Sequence, residues 1–201
     1  NETIHVVLLL CFISVAVEGL ALSGGAKAKV AVLGASGYTG AELMRLLTVH
    51  PHVEVSVLTS TERNAGKEFK AIYPQFSHLK GLPKLSLWEE TQAEIENCDI
   101  AFCCLPHGTT QEIIGELCSA EKNSKVRVVD LSADFRLKDV DTYATWYGKP
   151  HAAVDLQKEA VYGLPEVEGM REKIKKCKLL ANPGCYPTAA QLPLIPLLQA
   201  G

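Results

Sequence analysis

The sequence has no C-x-x-C pair, and its seven cysteines are an odd number, which argues against a disulfide framework and fits a reducing compartment. No His and Cys residues stand at zinc-ligand spacing, so no metal is expected. There is no basic excess: a net charge of −3 gives no electrostatic reason to expect nucleic acid as a partner. Internal repeats and low-complexity linkers are missing too. Nor is there a run long enough to span a membrane comfortably. The apolar stretch at residues 4–17 is too short, and it lacks the basic n-region of a secretory signal. The chain starts at Asn1 rather than Met, so its N-terminus reads as incomplete or processed. Residues 1–28 read either as a remnant of organelle targeting or as aberrant sequence, a disordered or isolated apolar segment outside the fold.

What is present is an ordinary globular composition, and 201 residues hold one large domain, or one domain plus part of another. From Lys29 a β-branched run, KVAVL, leads into GASGYTG and then into the amphipathic stretch from Ala41 to Leu47. Strand, glycine turn and helix in that order open a dinucleotide-binding unit. The spacing is G-x-x-G-x-x-G, with Gly34, Gly37 and Gly40. Gly37 lets a pyrophosphate approach the backbone, Gly40 permits close packing of helix on strand, and the helix N-terminus offers N–H groups to phosphate. Ser36, Tyr38 and Thr39 complete this candidate cofactor loop. The second strand, from Val53 to Leu58, ends without the Asp or Glu that usually binds the ribose 2′-hydroxyl of NAD. Thr59, Ser60, Thr61, Glu62 and Arg63 stand there instead. Ser60 and Arg63 suit a 2′-phosphate and favour NADP, although Arg63 also reads as a solvated loop charge.

Further strands are expected around Leu82–Leu87, at Asp99–Leu105 and at Val126–Asp130, with a short acidic helix from Trp88 to Asn97. Pro83 makes the first of these an edge strand. Cys103 and Cys104 read as small hydrophobes packed in a strand. Pro106, His107 and Gly108 follow that strand and border the expected ligand crevice, with His107 alternatively a plain turn residue. Thr109 and Glu112 have the spacing of a capping box opening the next helix. After Val126–Asp130 comes LSADFR, whose Ser132 and Arg136 are candidates for a polar or anionic substrate. Asp134 and Arg136 could equally pair with each other. WYGKPH and YGLPE read as ordered loops. Glu166 in the second is a substrate contact or a helix cap. The basic run from Lys173 to Lys178 reads as a solvated face.

Near the end stands NPGCYPT, with Cys185 between two prolines and just before an apolar, helix-like run from Thr188 to Leu198. A helix starting there would place Cys185 at its N-terminus, where the partial positive charge favours a thiolate nucleophile. A buried, inert cysteine is the alternative. Asn182 precedes it as a further candidate substrate contact.

GASGYTG, CCLPHGTTQEII, DLSADFR, WYGKPH, YGLPE and NPGCYPT, in this order, resemble the N-acetyl-gamma-glutamyl-phosphate reductase family of the semialdehyde dehydrogenase superfamily, in its plant and photosynthetic-microbe form. The resemblance covers residues 29–201. It implies an α/β fold: a doubly wound, mainly parallel Rossmann-type sheet over residues 29–181 that binds NADP(H), and at 182–201 the truncated start of an α+β catalytic and dimerisation domain. It implies that Cys185 attacks N-acetylglutamyl 5-phosphate, that phosphate leaves, and that NADPH reduces the thioester to N-acetylglutamate 5-semialdehyde in arginine biosynthesis. A homo-oligomer at full length and a plastid stroma (cytoplasm for a bacterial source) follow from the same resemblance. No membrane partner is expected. Members of the family run well beyond this point and carry a catalytic His that none of the six histidines here matches. A truncated NADP-binding fragment without catalysis is therefore the alternative expectation.

Overall fold

A computed structural model describes residues 13–20, 26–119 and 124–201. Short, largely apolar strands of two to seven residues need neighbours on both faces, and a parallel sheet covered by helices provides them. Seven strands form that sheet: β1 (Ala28–Leu33), β2 (Val53–Thr59), β3 (Leu85–Ser86), β4 (Ile100–Cys103), β5 (Arg127–Asp130), β6 (Val161–Tyr162) and β7 (Leu179–Ala181). Their order is β3-β2-β1-β4-β5-β7-β6, and every pairing is parallel. The order reverses at β1, the switch point at which doubly wound sheets open their ligand crevice.

Register divides the apolar residues between two cores. Leu58, Val32, Phe102, Val129 and Leu180 lie side by side across the sheet and share one core. The adjacent row, Val57, Ala31, Ala101, Val128 and Leu179, faces the other. Because successive side chains alternate in direction, a single-residue slip would exchange the two sets. Helices cover both faces. Helix α1 (Tyr38–Leu47) places Leu43, Met44, Leu46 and Leu47 in the first core, below a short α2 (Phe69–Ile72) and a 3₁₀ turn at Pro74–Phe76. Helices α3 (Trp88–Glu96) and α4 (Thr110–Cys118) contribute Ile95, Ile114 and Leu117 to the second. Four more follow: α5 (Val140–Tyr147), α6 (Val154–Glu159), α7 (Met170–Lys176) and α8 (Cys185–Ala200).

Several local expectations change. Helix α1 starts at Tyr38, three residues earlier than its apolar pattern, because the glycine turn already has the geometry of a helix entrance. The Thr109–Glu112 capping box does not form: Thr109 Oγ1 donates to Pro106 O at 2.7 Å and no side chain caps α4. Trp146 and Tyr147 close α5 rather than lying in a loop, and Gly148 stops that helix in the left-handed region at φ 73°. Glu166 caps nothing, since α7 is entered through Gly169. The basic run is only partly solvated. Lys178 is half-buried and donates to Ser124 O, and Lys175 pairs with Glu18 at 3.4 Å and Glu172 at 3.3 Å.

The apolar leader was expected to lie apart from the fold. Residues 1–12 and 21–25 lie outside the described residues, but residues 13–18 form a helix with Ile13, Val15, Ala16 and Val17 buried in the first core. Arg127 holds it there. Its guanidinium donates to Ala16 O at 2.9 Å, Cys177 O at 3.1 Å and Ile174 O, joining three segments through carbonyl groups left over at helix ends.

Candidate active site

The strands' C-terminal ends share one edge. At the end of β1, Gly34 turns at φ 78°, its N–H donating to Thr59 Oγ1 at 3.1 Å while Ala35 N–H donates to Thr59 O at 2.9 Å. A Cβ on Gly34 would lie 2.7 Å from Cys104 O, and one on Gly40 would lie 2.6 Å from Gly34 O. Only glycine fits at either place. Gly37 enters α1 in extended backbone with no side-chain cap, and Gly37, Tyr38 and Thr39 are exposed. The first-turn N–H groups therefore face an open cradle suited to a phosphate anion. Tyr73 OH braces the loop by donating to Ser36 O at 2.9 Å. Sequence reading missed Tyr73, which lies 37 positions away in an uninformative stretch.

Next to this loop, Thr59 is buried and committed to the Gly34 amide, so it is no ribose contact. Ser60 Oγ donates to Thr61 O at 3.2 Å, and Arg63 is exposed on the turn that Asn64 and Ala65 N–H close onto Thr61 O. The placement leaves the Arg63 guanidinium free to meet an anion at the end of β2.

Beyond β4, Pro106 and His107 are exposed and Gly108 turns at φ 83°. The His107 ring packs against Tyr147, centroids 5.7 Å apart. Gly108 N–H donates to both oxygens of the Asp134 carboxylate at 2.7 Å, and Lys149 Nζ donates to Gly108 O. Asp134 is fully buried and also accepts from Tyr143 OH at 2.8 Å and Thr110 Oγ1 at 2.5 Å. His151 Nδ1 accepts from Ala153 N–H at 3.1 Å, which assigns the proton to Nε2, the donor to Asp134 O at 2.9 Å. Thus Asp134 pairs with neutral donors and not with Arg136. Ser132 is buried within this network rather than open to a substrate. It donates or accepts among Asp130, Thr110 and Asp134, and burial pushes the Asp130 carboxyl up to about 7 against the lowering effect of its Ser132 hydrogen bonds.

On the β7 side, Arg136 Nε donates to Asn182 O at 2.9 Å and Nη2 to Leu131 O at 3.0 Å. Its remaining Nη1 lies against Gly184, where a Cβ would approach it to 2.8 Å. Arg136 thus clamps the segment leading to Cys185 and keeps one guanidinium nitrogen toward it. Asn182 Nδ2 donates to Pro183 O at 3.0 Å, while its buried Oδ1 has no partner. Cys185 is the first residue of α8, exposed and free, entered through an uncapped Gly184. Its counterpart Cys103 is fully buried, with its thiol pushed well up by desolvation. Glu166 is exposed after a buried Pro165. Among the described residues no group of His, Cys, Asp or Glu is placed to hold a metal, and no helix is long and apolar enough to cross a membrane.

Comparison with known proteins matches the same elements. Residues 29–177 match the family model of the semialdehyde dehydrogenase NAD-binding domain. The chain is 53% identical over 172 residues to the probable chloroplastic N-acetyl-gamma-glutamyl-phosphate reductase of Arabidopsis thaliana, covering 86% of this chain and 40% of that protein. It is 55% identical over 177 residues to N-acetyl-gamma-glutamyl-phosphate reductase of Rhodospirillum rubrum, covering 87% of this chain and 48% of that one. This chain therefore spans less than half the length of these curated relatives. Among solved structures, aspartate semialdehyde dehydrogenase with NADP from Candida albicans shares the fold, with a TM-score of 0.59 at 19% identity over 87% of this chain and 48% of that one. The cradle, the parallel sheet and the family pattern agree, and the chain belongs to the semialdehyde dehydrogenase family, whose NAD-binding domain its residues 29–177 form.

Proposed function

We propose that this chain is the nucleotide-binding and nucleophile-bearing part of an N-acetyl-gamma-glutamyl-phosphate reductase. The observation that carries the reading is the exposed Cys185 thiol at the uncapped N-terminus of α8, on the same sheet edge as the uncapped N-terminus of α1. NADP(H) fits the cradle of Gly34, Gly37 and Gly40, and Arg63 with Ser60 would meet its 2′-phosphate. When bound, NADPH supplies the hydride.

The protein's own part is acyl transfer. The Cys185 sulfur attacks the acyl carbon of N-acetylglutamyl 5-phosphate, the carbon–oxygen bond to phosphate breaks, and phosphate leaves with the electron pair. A thioester remains, so that one difficult reduction becomes two easier steps. The Arg136 nitrogen facing Gly184 and the first-turn N–H groups of α8 suit the anionic oxygens of substrate and leaving group. The unpartnered Asn182 Oδ1 beside them is an acceptor awaiting a donor. Residues 182–201 then begin the catalytic and dimerisation domain, and a plastid location fits a plant or algal source, as in the chloroplastic relative.

The test is NADP-dependent oxidation of N-acetylglutamate 5-semialdehyde with phosphate, alongside titration of NADP and NAD. Tighter binding of NADP with activity that disappears in Cys185→Ala supports the reading. Tighter NADP binding without activity points to the nucleotide-binding role alone, and failure of the folded protein to bind either nucleotide sinks the assignment of the cradle.

A further inference from the structure

Beneath the turn at residues 106–108, two buried carboxylates are linked by an unbroken row of oxygens. Asp130 ends β5 in register with Cys103 and Ala181, and both it and Asp134 are fully buried. Asp130 Oδ2 lies 2.8 Å from Ser132 Oγ, Ser132 Oγ lies 2.9 Å from Thr110 Oγ1, and Thr110 Oγ1 lies 2.5 Å from Asp134 Oδ2. An oxygen–oxygen contact of this length between buried groups is a hydrogen bond, and each hydrogen bond needs a proton of its own. Three gaps stand between these four groups, and the two hydroxyls bring two protons. The Asp134 N–H, which donates to Ser132 Oγ at 3.1 Å, fills none of the three. A carboxyl has to bring the third.

We propose that Asp130 and Asp134 share one proton through Ser132 and Thr110, and that this proton ties the 106–108 turn to the base of the segment that carries Cys185. The donors decide where it rests. Asp134 accepts from Gly108 N–H, Tyr143 OH and Thr110 OH, whereas Asp130 has the Ser132 N–H at 2.9 Å. The negative charge belongs on Asp134, and the proton on Asp130 Oδ2. Asp130–H donates to Ser132, Ser132–H to Thr110, and Thr110–H to Asp134. Burial supports this placement, since it brings the Asp130 carboxyl up to about 7. The charged and titratable groups facing Asp130 are Asp134, which favours its neutral form, Arg136, which opposes it, and the thiols of Cys103 and Cys104 on the β4 side. Tyr143 and His151 face the Asp134 end.

Removing the proton has a defined structural effect. The Ser132 hydroxyl turns to the Asp130 anion, and the Ser132–Thr110 gap is left with two lone pairs facing each other. That contact opens, and the first residue of α4 parts from the exit of β5. The cysteine side feels this because Asn182 N–H donates to the Asp130 carbonyl at 2.8 Å and Arg136 spans Leu131 O and Asn182 O. One buried proton thus couples the nucleotide side of the crevice to the thiol side.

The experiment needs no nucleotide or substrate, so its result is independent of the proposed reaction. The carbonyl band of a buried carboxylic acid is followed by infrared spectroscopy from about pH 5.5 to about pH 8.5 in the wild type and in Asp130→Asn and Thr110→Val. The wild type shows the band at low pH, and it fades through about pH 7. Asp130→Asn, whose amide still donates to Ser132, lacks it. Thr110→Val frees the Ser132 hydroxyl for the Asp130 anion and lowers the midpoint by roughly one unit. Melting curves supply the second readout. The folded protein keeps a proton that an unfolded aspartate gives up near pH 4, so melting temperature falls with rising pH between roughly pH 4 and pH 7 and then levels. Asp130→Asn removes that component of the slope. No acid band in the wild type at about pH 5.5, a band retained in Asp130→Asn, or an unmoved midpoint in Thr110→Val each overturns the proposal.

Discussion

Helices α1 and α8 both follow a buried parallel strand, both are entered through a glycine in extended backbone (Gly37 at φ −86°, Gly184 at φ −72°), and neither has a side-chain cap. Past that shared entrance they diverge. Along α1, six residues from Gly40 to Leu47 are buried against the sheet, whereas Thr188 is the buried residue of α8. Leu194, Leu197 and Leu198 of α8 are exposed, and Pro193 and Pro196 interrupt its backbone hydrogen bonds. The same local backbone therefore serves two ends. Where the helix is packed, the entrance is a rigid cradle of N–H groups. At the start of α8 the entrance carries an exposed side chain, Cys185.

Removing the side chain that distinguishes α8 gives the largest effect. Cys185→Ser lowers the proposed reductase turnover by more than about a thousandfold, while NADP affinity, read by titration, stays within about twofold. Next comes the cradle. Gly40→Ala drives a Cβ to 2.6 Å from Gly34 O, a backbone atom that cannot retreat, and costs about 3 kcal/mol in denaturant unfolding. Gly37→Ala separates binding from stability: its Cβ stays 3.4 Å from Gly34 O, so unfolding changes by less than about 1 kcal/mol while the phosphate approach is narrowed and nucleotide affinity falls. Thiol chemistry sharpens the contrast further, since iodoacetamide labels the exposed Cys185 and leaves the fully buried Cys103 unmodified until the protein unfolds. The smallest effect is on the open face of α8. Leu197→Glu at a 66% exposed position changes unfolding by no more than about 0.5 kcal/mol and lowers dye binding to exposed apolar surface.

Much of this was legible along the chain. The β1 strand, the glycine turn and a helix starting at Cys185 depend on neighbours within a few positions, and short β-branched runs between them specify a parallel sheet. Other features could not be read. Ser132 looked like a substrate contact and proves to be an inner link between Asp130 and Thr110, because its partner lies 22 positions away. The sequence left open whether Asp134 and Arg136 pair with each other, and the fold directs these opposite charges, two positions apart, to different partners, one to an amide and hydroxyls, the other to carbonyls. Tyr73 gave no signal, and Lys149 was read only as part of the WYGKPH loop, because each is a single polar group that meets the site through space.

By itself, then, the sequence determined the class of fold and pointed to the glycine turn as the candidate cradle and to Cys185 as the proposed nucleophile, since periodicity, glycine placement and a cysteine at a helix start act over one or two turns of chain. The tertiary structure alone decided which polar residues are buried in shared hydrogen-bond networks and which stay open at the strand ends. The sheet brings β4, β5 and β7 within a few ångströms, and a buried carboxylate takes its proton and its partners from whatever lies nearest in space, whatever the distance along the chain.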